Sequence, residues 1–174
     1  MWVLHCCAAA VAALVLLASS LDAACTATTD VLDLSTPDKY DYNYLDEKGL
    51  CFQNSMQFWI MASNDVHITL ADVKGSDDTI EIVLGGWGNS KSVIRACHQN
   101  CEKTHKSGGV LSKNSYRPFW ISWFNSQIIV GTGTTVGQNQ LMSANIAQTV
   151  SYVGVATAWG STGEWAFGHG KNNI

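Results

Sequence analysis

The fold of this chain is indicated first by residues 152–165, which read YVGVATAWGSTGEW. An apolar run that suits a β-strand is followed there by a tryptophan, Trp159, among glycines. Residues 85–95 read GGWGNSKSVIR and repeat this arrangement around Trp87. Glycine permits positive φ and close backbone approach, and tryptophan brings a large ring that needs cover. Both stretches therefore predict β-strands bordered by glycine turns.

Short segments with apolar or aromatic residues at alternate positions occur along most of the chain, as half-buried strands require. In residues 66–70, for example, the apolar side chains stand at 66, 68 and 70. The predicted strands are residues 38–44, 57–62, 66–70, 79–84, 92–96, 118–124, 127–131, 149–156 and 165–167. No segment combines a sustained helical period with caps. Eight or nine strands at near-regular spacing predict an all-β single domain, an antiparallel β-sandwich or jelly roll, over residues 36–168.

Turn-forming residues predict how neighbouring strands connect. Residues 57–62 and 66–70 flank Ser63-Asn64-Asp65 and are predicted to form a hairpin. Residues 118–124 and 127–131 are predicted to form another around Asn125-Ser126. The polar residues 97–114 are predicted to be a loop.

The N-terminal residues 1–24 are predicted to be a cleaved signal sequence, with the cleavage site between residues 20 and 24. An apolar run of Val, Ala and Leu is followed there by small residues, although His5 is the only basic group before it. An uncleaved anchor is the alternative, but the run is short for a span of about 20 residues. The mature chain is thus expected to be secreted and extracellular, with no membrane span. Residues 25–35 are predicted to be a lead-in and residues 169–174 a C-terminal tail.

Charge and cysteine content narrow the possible partners and the compartment. The formal net charge of −4 gives no electrostatic reason to bind nucleic acid or anionic lipid. Four cysteines follow the leader: Cys25, Cys51, Cys97 and Cys101. In a secreted chain they predict two disulfides. Three connectivities are possible, and the local pairs 25–51 and 97–101 are preferred because each brackets one continuous segment.

Metal sites have weaker support in the sequence. Cys97 and Cys101 stand near His98 and His105, and such ligands could hold zinc. A disulfide-closed loop is preferred, and no metal site is predicted. His67 alternates with apolar neighbours and is expected to be a surface or loosely packed side chain.

Several blocks in one order resemble the farnesoic acid O-methyltransferase domain family of invertebrate extracellular proteins. They are residues 63–68, 82–95, 119–123 and 152–165, within a likeness that covers about residues 36–167. Residues 96–117 depart from the pattern. The resemblance implies methyl transfer from S-adenosylmethionine to farnesoic acid, giving methyl farnesoate.

The residues themselves favour a non-catalytic module without a cofactor. A doubly wound methyltransferase needs a strand, a glycine turn and a helix, followed by an acidic residue. The turn at residues 131–137 has no amphipathic helix after it, and the turn at 85–88 precedes a predicted strand. S-adenosylmethionine is also an intracellular compound. A secreted recognition module, a methyltransferase and a structural extracellular protein remain the alternatives.

Tryptophans in glycine turns could cap the sandwich or form a stacking platform for a sugar ring or another flat apolar ligand. The candidate ligand-binding residues are Trp87, Asn89, Lys91, Arg95, Trp123, Trp159 and Glu164. The expected partners are a glycan, a small apolar ligand or an extracellular protein. Trp120 and Trp123 differ in parity, so one of them must be covered by something other than the main core.

Overall fold

The computed structural model describes residues 32–168, which form a nearly all-β domain. The strands are β1 (Leu32–Thr36), β2 (Lys39–Tyr44), β3 (Ser55–Ala62), β4 (Val66–Ala71), β5 (Thr79–Gly85), β6 (Lys91–Arg95), β7 (Glu102–Ser107), β8 (Arg117–Phe124), β9 (Gln127–Thr132), β10 (Gln140–Asn145), β11 (Tyr152–Thr157) and β12 (Gly163–Phe167). The helical pieces among these residues are a 3-10 turn at Leu45–Lys48 and one turn at Gly86–Asn89. The predicted signal sequence and C-terminal tail lie outside the described residues and stay predictions.

Two antiparallel sheets pack face to face. The larger sheet has the order β1-β12-β3-β8-β9-β10, and the smaller has the order β11-β4-β5-β6-β7. Alternate residues of each central strand point into the space between the sheets. The core is formed by Phe58, Ile60, Phe119, Ile121, Trp165 and Phe167 of the larger sheet and by Ile68, Leu70, Ile80, Ile82, Leu84 and Ile94 of the smaller. The predicted antiparallel β-sandwich is confirmed.

The smaller sheet is covered on its outer face as well. Every residue of β4 and β5 is buried, so both faces of these two strands are covered, although their apolar and polar side chains alternate. Strand β2 lies against β11, and Gly154 of β11 permits the close approach. A Cβ atom at Gly154 would stand 2.8 Å from Thr69 Cγ2 and 3.2 Å from Tyr42 Cβ. The tyrosines of β2 therefore form part of a second layer over this face.

The predicted hairpin of residues 57–62 and 66–70 is wrong. Strand β3 pairs with β12 and β8 in the larger sheet, whereas β4 pairs with β11 and β5 in the smaller. The chain crosses between the sheets at Ser63-Asn64-Asp65, where Asp65 has φ of 48° and donates its N–H to the Gly85 carbonyl. Turn residues show that the chain reverses, but they do not show which neighbour each strand will have.

Three further segments differ from the sequence-based assignment. Residues 102–107, predicted as loop, form the edge strand β7, and residues 140–145 form the edge strand β10. Most of β7 is exposed, so it lacks the apolar alternation that identifies a strand. Residues 32–35, predicted as the end of the lead-in, belong to β1, which pairs with β12. The hairpin of β8 and β9 around Asn125-Ser126 is as predicted, with positive φ at both turn residues.

The parity argument for the two tryptophans of β8 is confirmed. Trp123 packs against the core between the sheets. Trp120 faces the other side and is completely buried there. Gly131 leaves room for its ring, and Trp120 Nε1 donates a hydrogen bond of 2.8 Å to the Gln138 carbonyl. The loop after β9 therefore covers the second tryptophan.

Candidate functional site

A buried carboxylate, Glu81, lies at the centre of the outer face of the smaller sheet. Neighbouring strands place His67 of β4 and Arg95 of β6 on the same face. His67 Nδ1 lies 3.0 Å from Glu81 Oε1, and Arg95 donates from a guanidinium nitrogen to Glu81 Oε2 at 2.8 Å. Glu81 is fully buried, and the Arg95 side chain is only 11% exposed. The ion pair is thus largely removed from water.

The layer over the sheet supplies three more hydrogen bonds to the same carboxylate. The hydroxyl groups of Tyr40 and Tyr42 donate to Glu81 Oε1 at 2.6 and 2.9 Å. The backbone N–H of Gln99 donates to Oε2 at 2.9 Å. Glu81 therefore holds together strands β2, β4, β5 and β6 and the loop that contains Gln99.

Hydrogen bonds and burial together determine whether Glu81, Tyr40 and Tyr42 are ionised. Burial by itself raises the pKa of the Glu81 carboxyl, but hydrogen bonds from His67, Tyr40 and the Gln99 N–H outweigh it, and the pKa lies well below its ordinary value. Burial, followed by the hydrogen bond to Glu81, raises the pKa of Tyr40. Burial and the charge of Glu81 raise the pKa of Tyr42. The carboxylate is ionised and the two phenols are neutral donors at neutral pH.

A disulfide between Cys97 and Cys101 closes the loop that carries Gln99, with the two Cα atoms 5.8 Å apart. Gln99 has φ of 65°, a conformation that non-glycine residues seldom adopt. The predicted local pair 97–101 is confirmed. Cys51 is also disulfide-bonded, and Cys25 lies outside the described residues.

Removing this disulfide is expected to loosen the loop without unfolding the domain. In the chain-entropy model, a closed loop of five residues contributes about 2 kcal/mol to the free energy of unfolding. We expect the double variant Cys97→Ser, Cys101→Ser to lose about that much and the Gln99 amide to exchange faster with solvent. Urea denaturation and hydrogen exchange measure the two effects. Unchanged exchange at Gln99 would show that Glu81 holds the loop without the disulfide.

A cleft of about 500 Å³ opens beside the buried carboxylate. Its walls include two tryptophans, Trp87 and Trp159, whose exposed fractions are 52% and 54%. Trp159 packs on two side chains that contact Glu81. Its ring centroid is 4.9 Å from that of His67 and 5.1 Å from that of Tyr40. The full lining is Asn64, Asp65, His67, Val83, Trp87, Gly88, Arg95, Gln99 and Trp159.

Both wall tryptophans have left-handed backbone conformations. Trp87 has φ of 55° and Trp159 has φ of 53°. Bulky residues adopt this region only at a cost of about 1–3 kcal/mol, and such outliers cluster at ligand sites. Hydrogen bonds support both turns: Ser90 Oγ donates to the Trp87 carbonyl and Asn64 Nδ2 to the Trp159 carbonyl. The backbone is held in an unfavourable conformation that leaves each ring half exposed.

Four of the predicted ligand-binding residues lie together. Trp87, Trp159 and Arg95 line the cleft. Lys91 stands beside it, with its Nζ atom 4.8 Å from the Trp87 ring centroid, and Arg95 Cζ is 5.5 Å from the same centroid. These two cations occupy part of the Trp87 ring surface and help to fix the ring.

The other three predicted residues lie elsewhere. Asn89 accepts hydrogen bonds from the backbone N–H groups of Val110 and Leu111 and so has a structural role in the turn. Trp123 packs on the core from the larger sheet. Glu164 is on β12 of the same sheet and accepts a hydrogen bond from Ser35 at 2.6 Å. Proximity in sequence to a glycine turn did not place these side chains at the cleft.

Sequence reasoning missed the floor of the cleft. His67 was expected to be a surface or loosely packed side chain, but it is only 2% exposed, because the rings of Tyr40 and Trp159 cover it. Glu81 was not among the candidate ligand-binding residues. One signal could have identified it: a carboxylate within the apolar run of residues 79–84, with a strand of alternating tyrosines upstream.

The model of the family described as farnesoic acid O-methyl transferase matches residues 38–170. The chain belongs to this family. The match includes every strand from β2 to β12 and all residues that line the cleft. No curated protein sequence matches the chain significantly.

Solved structures share the architecture with this farnesoic acid O-methyltransferase family member only distantly. A carbohydrate-binding module, CBM66 of Bacillus subtilis, has a TM-score of 0.49 and 6% identity, covering 65% of this chain and 72% of that chain. The galectin LEC-6 of Caenorhabditis elegans has a TM-score of 0.49 and 9% identity, covering 78% and 94%. The β-glucanase of Bacillus licheniformis has a TM-score of 0.47 and 16% identity, covering 78% and 77%. Likenesses this distant do not indicate what the family member binds.

Within residues 32–168, no three or more His, Cys, Asp or Glu side chains are grouped so that they could hold a metal ion. No helix among the same residues has both the length and the apolar character of a membrane span.

Proposed function

We propose that this protein is a secreted, non-catalytic recognition module whose cleft binds a neutral, polyhydroxylated ring such as a sugar. One observation carries the proposal: two half-exposed tryptophans, both with left-handed backbone, form walls of the same cleft. An aromatic ring that packs on the apolar face of a sugar gains contact area while leaving the hydroxyl groups free. The cleft volume of about 500 Å³ lies within the range of small-molecule sites.

The charges at the cleft favour a neutral ligand. The one guanidinium in the lining, that of Arg95, is paired with the buried Glu81 at 2.8 Å. Asp65 adds a carboxylate to the lining, and it accepts a hydrogen bond from Asn64 at 2.7 Å. Lys91, beside the cleft, is likewise paired, with Glu102 at 2.6 Å. Among the described residues, a ligand carboxylate would thus meet the charge of Asp65 and two cations that already have counter-ions. This disfavours farnesoic acid as the ligand and supports one that binds through hydroxyl groups.

Methyl transfer is the second candidate, because the family description names it. The geometry gives it little support. The ladders of both sheets are antiparallel, and a doubly wound cofactor site needs parallel strands. The turn at residues 85–88 leads into β6, and the turn after β9 leads into β10. Calorimetry with S-adenosylmethionine distinguishes the candidates: saturable binding, with methyl farnesoate formed, would favour the enzyme.

Removing the ring of either wall tryptophan is expected to weaken ligand binding strongly. Trp87→Ala and Trp159→Ala should each cost about 2 kcal/mol of binding free energy, as aromatic anchors do. Their free energy of unfolding should change little, because about half of each ring is exposed. A glycan array with neutral and acidic glycans, probed with the full chain, selects the ligand for calorimetry.

Phe124→Ala is the matched control, since Phe124 is 63% exposed and lies at the tip of the β8–β9 hairpin. This variant should change neither the binding free energy nor the free energy of unfolding. If both tryptophan variants instead lose about 3–5 kcal/mol of folding free energy, the rings are structural caps. An array on which no glycan binds would favour a structural protein that recognises only other proteins.

A further inference from the structure

One buried polar atom at the floor of the cleft makes no hydrogen bond to any residue that the structure describes. His67 lines the cleft and is 2% exposed, and the atom is its Nε2. Buried polar groups are almost always paired, and an unpaired one at a ligand site calls for a reason. The other ring nitrogen, Nδ1, is satisfied by Glu81.

The partner of Nδ1 fixes the role of Nε2. A carboxylate only accepts hydrogen bonds, so Nδ1 must carry the proton that it shares with Glu81 Oε1. In a neutral imidazole the second nitrogen is then an acceptor. Glu81 cannot turn away, because Tyr40, Tyr42, Arg95 and Gln99 hold it from other sides. When the imidazole is neutral, the cleft thus contains an acceptor of fixed direction.

We propose that His67 is the residue that selects the ligand hydroxyl: its Nε2 atom accepts a hydrogen bond from one hydroxyl group of a neutral sugar held by the tryptophans. This rests on the proposed function and specifies which chemical group of the ligand is recognised. A carboxylate or a ketone at that position has no proton to donate and would leave Nε2 unpaired.

Trp159 must move for the ligand to reach this atom. The rings of Trp159 and Tyr40 cover His67, with centroids 4.9 and 5.2 Å away. Tyr40 is anchored through its hydroxyl to Glu81 at 2.6 Å. Trp159 is half exposed and lies in the turn between β11 and β12. Its ring is therefore the one that shifts, and it packs on the sugar after the shift.

The first test shows directly which ring nitrogen of His67 carries the proton in the wild type. Long-range ¹H–¹⁵N spectra at pH 8 should show His67 with a proton on Nδ1 and none on Nε2, and His67→Phe assigns the signals. Saturation with a bound sugar should shift the Nε2 resonance. A proton on Nε2 at pH 8, or an Nε2 signal that does not respond to saturation, would overturn the proposal.

The second test uses methyl glycosides of glucose, galactose and mannose and their singly deoxygenated derivatives. For a glycoside that binds, one deoxy derivative should bind the wild type about 5- to 10-fold more weakly, the value of one net hydrogen bond. His67→Phe keeps a ring at this position but has no acceptor. The His67→Phe variant should bind the parent glycoside about 5- to 10-fold more weakly than the wild type does. It should bind the parent glycoside and that deoxy derivative equally well.

The outcomes separate the two proposals. If Trp159→Ala abolishes binding but His67→Phe and every deoxy derivative bind like their parents, the cleft is the site and His67 is not the selecting residue. If no glycoside binds and the tryptophan variants have no effect on any array ligand, the proposed function fails, and this inference with it. His67→Gln, which keeps an acceptor, should restore part of the discrimination that His67→Phe loses.

Discussion

Replacing Glu81 with alanine is expected to destabilise the protein by about 3–5 kcal/mol, the usual cost of breaking a buried ion pair. The substitution leaves Arg95 without its counter-ion and removes the acceptor of Tyr40, Tyr42 and the Gln99 N–H. Urea denaturation, with the m-value checked for constancy, measures the loss. Ligand binding should fall as well, because the same carboxylate orients His67.

A matched control is Glu102→Ala. Glu102 also contacts a cation and a histidine, Lys91 at 2.6 Å and His105 at 2.7 Å, but it lies on the exposed edge strand. Exposed ion pairs contribute little, so this variant should be close to the wild type in stability. Similar losses in both glutamate variants would contradict the central role of Glu81.

The contribution of Glu81 should also depend on pH. The folded-state pKa of this carboxyl is depressed below its unfolded value, which is about 4.3 for glutamate. Stability from this source is therefore fully present above that pH and is lost as the pH falls through the folded-state pKa. Between pH 6 and pH 2 the wild type should lose more stability than Glu81→Gln, which has no such group. Parallel curves for the two proteins would contradict the shift.

The second large effect is expected at Trp165, in the core between the sheets. Trp165→Ala should cost about 3–5 kcal/mol, because its ring is 1% exposed and stands 5.6 Å from that of Phe58. Its Nε1 atom also donates to Thr36 Oγ1 at 2.9 Å, and Thr36 in turn is 2.7 Å from Thr157 Oγ1 of the other sheet.

Trp165→Phe separates the two contributions of this side chain. Phenylalanine keeps much of the packing but loses the hydrogen bond, so the cost should be about 1 kcal/mol for the bond plus the loss of ring volume. Thermal and urea unfolding measure both variants. If alanine and phenylalanine cost the same, the hydrogen bond, and not the ring, is what stabilises this position.

The strands that sequence identified are those with one apolar face. Strands β2 to β6, β8, β9, β11 and β12 were predicted, because each has apolar or aromatic side chains at alternate positions. Edge strands such as β7 were not predicted, because their side chains contact water on both faces and their local composition resembles that of a loop. The pairing partners of the strands on either side of residues 63–65 were predicted wrongly. The chain changes sheets there, and strand pairing depends on residues far away in sequence.

The rim of the cleft was easier to predict than its floor. Trp87 and Trp159 stand out in sequence because a large ring among glycines is unusual. The alternation of residues 66–70 correctly places His67 on the face opposite the core, but no local pattern shows that a second layer covers that face. Glu81 becomes recognisable only when the tyrosines of β2, far upstream, are brought next to it.

The layer over the smaller sheet also affects how binding relates to folding. Its contacts join residues separated by 95 positions at the rim, as in the bond from Asn64 to Trp159, and by 41 positions at the carboxylate, as in the bond from Tyr40 to Glu81. Non-local contacts of this kind form late, because the loops between them must close first. A chain in which β2 and the turn of Trp159 had not yet packed on the smaller sheet would lack the covered floor of the cleft. Capture on an immobilised ligand would therefore retain only molecules in which this layer has formed.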